Sequence, residues 1–162
     1  MCNDGPMYIS AKVDYAVRAL LTLAAAGGSP ITGELLAKSQ GLPVKFIENI
    51  LVELRRAGIV TSRRGSEGGY RLARPASEIA LGDIFRVLDG PLAEVRGLRP
   101  ENAVYEGPAA NLQPVWVAVR AALRLVLDSV TLADVLAGEL PPAVAELLTA
   151  PDAWMPRRVG PA

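Results

Sequence analysis

The stretch Gly41-Leu42-Pro43-Val44-Lys45-Phe46-Ile47-Glu48-Asn49-Ile50-Leu51-Val52-Glu53-Leu54 decides the fold of this chain. Pro43 suits the opening of a helix, where its missing N–H is not needed. Phe46, Ile47, Ile50, Leu51 and Leu54 then recur at three- and four-residue steps and make one apolar face. Ala57-Gly58 closes the helix with a glycine cap. Upstream, Thr32 caps a shorter helix with Glu34 in its first turn and Leu35 and Leu36 inward. That helix stops at Gly41. Two helices joined by so short a turn outline a helix-turn-helix. A further helix from about Ser10 to Ala26 precedes them, with Ser10 as its N-cap and Gly27-Gly28-Ser29-Pro30 as its stop.

Downstream, Ile59-Val60-Thr61-Ser62 reads as a short strand and Tyr70-Arg71-Leu72 as its returning partner. Between them lies Arg63-Arg64-Gly65-Ser66-Glu67-Gly68-Gly69, a basic tip too rich in glycine to fill a core. A hairpin directly after the third helix is the wing of a winged helix. Arginine at such a tip suits phosphate contact or entry into a narrow minor groove, and glycines at 65, 68 and 69 let the loop approach a backbone closely. The alternative is a surface hairpin with two solvated arginines. A phosphate-cradling P-loop is excluded, because no lysine followed by Ser or Thr comes after the glycines and a strand follows where a helix is required.

The third helix presents Lys45, Glu48, Asn49 and Val52 opposite its apolar face. In a major groove Asn pairs with adenine, Glu accepts from cytosine, and Lys reaches guanine or phosphate. Phe46 either joins the core or turns outward to a thymine methyl. A plain solvated helix face remains the competing reading.

The remainder predicts a helix from about Gly82 to Leu88, an irregular segment over 90–113, and a long helix from about Pro114 to Val130. On that long helix Trp116, Val119, Leu123, Val126, Leu127 and Val130 form an apolar stripe that a fold this small covers poorly, which points to a dimer interface. Packing against the chain's own first helix is the alternative, and both can hold. Arg120, Arg124 and Asp128, spaced by fours, read as ion pairing along the helix surface. Tyr105 and Trp116 either line an effector pocket or belong to the core. Thr131 and Pro141 open two short final helices. The organisation expected is a leader at 1–6, a winged helix-turn-helix at 7–75, a connecting helix at 76–89, an effector-region loop at 90–113, a dimerisation helix with C-terminal helices at 114–148, and a loose tail at 149–162. The fold class is mainly α, with a two-stranded wing.

Composition narrows the function. Half of the 162 residues are apolar (51%), enough for a real core. The longest apolar run is too short to span a bilayer and the N-terminus lacks the basic start of a secretory signal, so a cytoplasmic protein without a membrane partner is expected. Net charge is zero but unevenly spread. Residues 7–75 hold ten Lys/Arg against five Asp/Glu, and 76–162 hold seven against eleven. A basic first half suits a polyanion. The chain has one cysteine, Cys2, and no histidine. A zinc or iron–sulfur site built from this chain's cysteines is therefore not expected, nor is any metal site or cofactor. With no nucleophile beside a base either, an enzyme is not expected.

These residues carry a family resemblance. Met7-Tyr8-Ile9-Ser10-Ala11-Lys12-Val13-Asp14-Tyr15-Ala16-Val17-Arg18-Ala19-Leu20, the 41–51 stretch, Leu54 to Val60, Arg64 to Ala73, Leu81-Gly82-Asp83-Ile84 and Val130 to Val135 together resemble the Rrf-two family of bacterial transcriptional regulators, the IscR, NsrR and CymR kind. The resemblance runs from about Met7 to about Gly138. It implies a winged-helix homodimer crossed by its long C-terminal helices, binding double-stranded DNA at a palindrome, as a repressor in the commonest case. It implies base-reading positions at Lys45, Phe46, Glu48 and Asn49, with Arg64 in the minor groove and Ser10, Lys12 and Tyr15 at phosphates. Two departures matter. Relatives often read Arg-Gly-Pro-Gly-Gly-Gly where this wing has Glu67. Iron–sulfur members carry three cysteines in the irregular segment, where this chain has Val95-Arg96-Gly97-Leu98 and Tyr105-Glu106-Gly107-Pro108. The resemblance therefore implies a cluster-free member answering to a small molecule, a partner protein, or nothing. A winged helix used only as a protein adaptor is the rival function; Lys45, Asn49, Arg63 and Arg64 speak against it.

Overall fold

The computed structural model describes residues 9–156. The expected leader at 1–6 and the end of the expected tail lie outside them. Seven helices and one hairpin follow in order: α1 (Ala11–Ala25), α2 (Gly33–Gln40), α3 (Val44–Arg56), β1 (Val60–Arg63), β2 (Gly69–Leu72), α4 (Leu81–Leu88), α5 (Leu112–Leu127), α6 (Leu132–Ala137) and α7 (Pro142–Leu147). The winged helix-turn-helix expected from the sequence is present.

Local chemistry sets most boundaries. Ser10 Oγ accepts from Val13 N and Thr32 Oγ1 from Leu35 N, each satisfying a first-turn donor that no helical carbonyl can reach. At the other end of α2, Gly41 takes φ 66°, and Leu42 N reaches back to Ala37 O at 3.0 Å while Gly41 N meets Lys38 O. This Schellman closure reverses the chain within three residues and launches α3. The turn of the helix-turn-helix is thus a backbone consequence of one glycine. Gly58 repeats the device between α3 and β1, with Ile59 N on Leu54 O at 2.9 Å.

The core joins α1 (Val13, Ala16, Leu20, Leu23), α2 (Leu36, Ala37), α3 (Ile47, Ile50, Leu51, Leu54) and the strand entry at Ile59 and Val60. Ile79, Ile84 and Leu88 close it from α4, and Leu132 enters it from α6. The C-terminal part is therefore stitched back into the N-terminal core. Leu81 N donates to Val130 O and Leu132 N to Ile79 O, around an Ala80–Thr131 bridge. Below this seam Arg86 grips Asp128 at 2.8 Å. A Cβ on Gly82 would collide with the Asp128 carboxylate, so glycine lets the two elements meet there.

The seam corrects two expectations. The long helix ends at Leu127, not Val130: Val130 N still reaches Val126 O at 3.1 Å, but its carbonyl accepts from Leu81 N. Val130 is then 1% exposed inside its own chain and has no surface left for a dimer contact. The helix also starts earlier, at Leu112.

The 90–111 segment, expected to be irregular, is built of tight turns. Val95 and Leu98 exchange both backbone hydrogen bonds across Arg96 and Gly97, whose φ values of 55° and 72° make a type I′ turn. Left-handed geometry costs a non-glycine residue about 1 kcal/mol or more. Arg96 recovers part of that by laying its guanidinium 5.5 Å from the Tyr105 ring centroid. Pro100 and Ala103 are buried and fasten the segment against α5.

Candidate nucleic-acid interface

The amphipathic pattern of α3 sorts its residues cleanly. Ile47, Ile50, Leu51 and Leu54 are buried, while Lys45, Glu48 and Asn49 are exposed. Phe46 lies on the border, 37% exposed. It meets Tyr15 edge to face at 5.8 Å, so the outward and inward readings are both partly met. Glu48 is exposed but leans toward the start of α2: its Cγ is 3.4 Å from where a Gly33 Cβ would sit. The partial positive charge of a helix N-terminus favours a carboxylate there.

The wing follows directly. β1 and β2 pair antiparallel, from Val60 opposite Leu72 to Arg63 opposite Gly69. Arg63, Arg64 and Glu67 are exposed at its tip. Ile31, between α1 and α2, adds one bridge to Tyr70, so the hairpin is tied to the helices at its base. Arg55 Nη1 also bonds Ser62 Oγ at 3.1 Å and joins the end of α3 to β1. The glycines have reasons within the chain. A Cβ on Gly69, at φ 146°, would lie 2.7 Å from the Ile31 backbone, and one on Gly68 would strike the Arg63 and Gly65 carbonyls. Gly65 takes φ 113° in the turn, with open space around its Cα. The glycines shape the tip, and the charge on it belongs to the arginines.

Lys12, expected at a phosphate, is met within the chain. Lys12 Nζ is 2.9 Å from Glu53 and 3.4 Å from the Leu88 carbonyl. It ties α1 to α3 and α4, and its charge is already answered at 34% side-chain exposure. The pairing was illegible because Glu53 is 41 residues away. Ser10 Oγ accepts from Val13 N at the cap of α1, which leaves its O–H free to donate. Tyr15 is half-buried between Phe46 and Arg18, whose guanidinium stands 5.7 Å over its ring. Arg18 was missed in the sequence, although its three-residue spacing from Tyr15 was a signal.

The C-terminal half departs further from expectation. Arg120 does not pair along α5. It binds Glu101 in the loop with its side chain only 12% exposed, and Asp128 goes to Arg86. The Glu101 carboxyl is held below its ordinary value, first by a backbone hydrogen bond and then by Arg120. Arg86 is pushed above the arginine value, chiefly by its hydrogen bond to Asp128. A cavity of about 360 Å³ opens here, lined by arginines and residues 91–94. Tyr105 and Trp116, the expected pocket residues, are not in its lining. Tyr105 is occupied by Arg96, and Trp116 is half-buried with its Nε1 donor buried and unpaired.

None of the 16 residues of α5 is buried. Trp116, Val119, Leu123, Val126 and Leu127 are half-covered, while Val115 and Leu125 stand 50% and 46% exposed. No described helix is long and apolar enough to cross a membrane.

Comparison with known proteins agrees with this architecture. The model of the Rrf2 family, described as iron-dependent transcriptional regulators, matches residues 9–138. A Mycobacterium tuberculosis protein described as an HTH-type transcriptional regulator is 49% identical over 142 residues, 87% of this chain and 88% of that protein. The HTH-type transcriptional regulator CymR of Bacillus subtilis is 37% identical over 129 residues, 79% of this chain and 88% of CymR. Among solved structures, the global cysteine regulator CymR of B. subtilis superposes with a TM-score of 0.70 at 33% identity, covering 82% of this chain and 98% of that one. IscR of T. potens gives 0.65 at 36% identity, covering 82% and 88%.

Proposed function

We propose that this chain, which belongs to the Rrf2 family of transcriptional regulators, acts as a homodimer that reads a palindromic operator and represses from it. It is a helix-turn-helix transcriptional regulator and not an enzyme. The observation that carries the finer reading is the joint exposure of Lys45, Glu48 and Asn49 on α3 and of Arg63 and Arg64 on the wing that α3 runs straight into. The helix supplies groups for base edges, and the wing supplies cations for phosphate or the minor groove. Phe46 and Tyr15 form the apolar shoulder of this face.

Dimerisation is supported by α5. A helix this apolar with no buried residue leaves Val115, Leu125 and the half-covered stripe from Trp116 to Leu127 in need of a second surface. Two copies packed across it would present two reader helices about 34 Å apart, one duplex turn.

The family description names iron, and the donor set of this chain does not fit an iron–sulfur cluster. Such clusters need several thiolates. The chain has one cysteine, in the first residues, and no histidine. The 90–111 segment offers only Glu94, Glu101 and Glu106, and Glu101 is engaged by Arg120. Among the described residues no three His, Cys, Asp or Glu gather at one place. The member is read as cluster-free, answering to a small molecule or a partner protein.

The test is a gel shift of the chain's own promoter region across a salt series. The expected result is a saturable shift whose affinity falls steeply with salt, from a protein that sediments as a dimer. A dimer that leaves its promoter unshifted at low salt overturns the reading.

A further inference from the structure

The cavity between α4, residues 91–101 and α5 is lined by four guanidinium groups, those of Arg86, Arg99, Arg120 and Arg124, against the carboxylates of Glu94 and Glu101. Arg86 is answered by Asp128 and Asp83 and Arg120 by Glu101, which leaves Arg99 and Arg124 as the two guanidinium groups of the lining without an ion pair among the described residues. Arg120 is the least solvated of them, and Glu101 is its one side-chain partner. A guanidinium has five N–H donors, and the bond to the Glu101 carboxylate leaves others on Arg120 to meet a ligand. Arg86 is held in place by Asp128 at 2.8 Å and Asp83 at 3.9 Å. Arg124 has no ion pair within 4 Å among the described residues. The four groups come from three separate elements, so this is not one helix face that happens to be basic. The cleft is open to solvent and about 360 Å³ in volume, room for a small ion.

We propose that this cavity binds a small dianion, a metabolite carrying two carboxylates or a phosphate monoester, through the forked donors of Arg120, Arg124 and Arg99. Planar guanidinium groups recognise both anions in bidentate fashion. Two negative charges match the two guanidinium groups, Arg99 and Arg124, that the chain leaves without an ion pair, and a neutral or cationic ligand would leave both unanswered. The site goes beyond the DNA reading. Its regulatory meaning rests on that reading, but its occupancy does not. The anion would draw α5 toward α4 and the loop, and α5 is the helix that sets the spread of the dimer. Through linkage, an anion that favours one spread changes DNA affinity, and DNA changes anion affinity by the same factor.

The experiment is calorimetric titration of the full chain, without DNA, with succinate, inorganic phosphate and glycerol 3-phosphate, and with succinamide as the neutral control. At least one dianion is expected to bind saturably at millimolar concentration or below, with no heat from succinamide. The preference between succinate and the phosphates identifies the anion source. Arg124→Gln and Arg99→Gln, both on exposed residues, should each weaken binding about tenfold or more, while Arg64→Gln leaves it intact. Absence of saturable binding by every dianion overturns the proposal. So does binding that survives Arg124→Gln and Arg99→Gln together but is lost in Arg64→Gln, which would put the anion on the DNA-facing wing. Because binding is read without DNA, a failure of operator recognition leaves this result standing.

Discussion

Helices α3 and α5 are both amphipathic and of similar length, yet they end up in opposite circumstances. α3 buries four large side chains and turns a polar face outward. α5 buries no residue fully and leaves Val115 and Leu125 in water. The contrast separates a helix whose apolar face is covered within the chain from one whose apolar face is left half-open. The first half is also the basic one, so the part whose reader helix is covered within the chain carries the charge for a polyanion, while the part with the uncovered apolar helix is the one proposed to join two copies.

The largest effect should come from breaking α5. Val119→Glu with Leu123→Glu should convert the dimer to a monomer by sedimentation and lower operator affinity by about 10²- to 10⁴-fold, because the second half-site is no longer tethered. The far-ultraviolet spectrum should hardly change. If affinity also holds, the contrast is wrong. Leu54→Ala attacks the other helix. It should cost about 2–5 kcal/mol in urea unfolding, the usual result of a cavity in a packed core. Sharpening within the reader comes next. Asn49→Ala should relax sequence preference by about 1–3 kcal/mol at a single base step. Arg64→Ala should weaken specific and random duplexes alike and reduce the salt slope by about one phosphate contact.

The smallest effect concerns the seam. Asp134 caps its own helix through the backbone N–H and then the hydroxyl of Thr131, and both lower its carboxyl below the ordinary aspartate value. The stability it contributes is therefore fully present above the unfolded-state value and is lost as pH falls through the lowered folded one. Asp134→Asn should melt lower than the parent at about pH 6, and the gap should narrow below about pH 4. A constant gap across that range would remove Asp134 from the acid response.

What was legible in the sequence was what neighbours decide. Ser10, Thr32, Gly41, Gly58 and Thr131 act within a turn of their own position, and the helices they bound lie within a residue or two of expectation. Lys45, Glu48 and Asn49 on α3 followed from period alone, while Val52, expected beside them, is half-covered. What was illegible depends on distant partners. Lys12 belongs to Glu53, Arg120 to Glu101 and Val130 to Leu81, and none of these pairs has a local signature. The arginine cavity was missed for the same reason. Its groups lie at positions 86, 99, 120 and 124, and only the folded loop assembles them. The aromatics Tyr105 and Trp116 drew attention because of their type, not their surroundings.

The backbone pairing of residues 79–81 with 130–132 has a mechanical corollary. It makes a fulcrum at the Leu127 end of α5, while Gln113 and Arg120 tie the other half of the helix to Glu101. With 16 residues the helix is a lever about 24 Å long, so a five-degree tilt at the fulcrum carries its far end roughly 2 Å. Whatever pushes on the arm between Trp116 and Arg124 is magnified at the Leu112 end, and a paired lever in a second copy would double the change in grip.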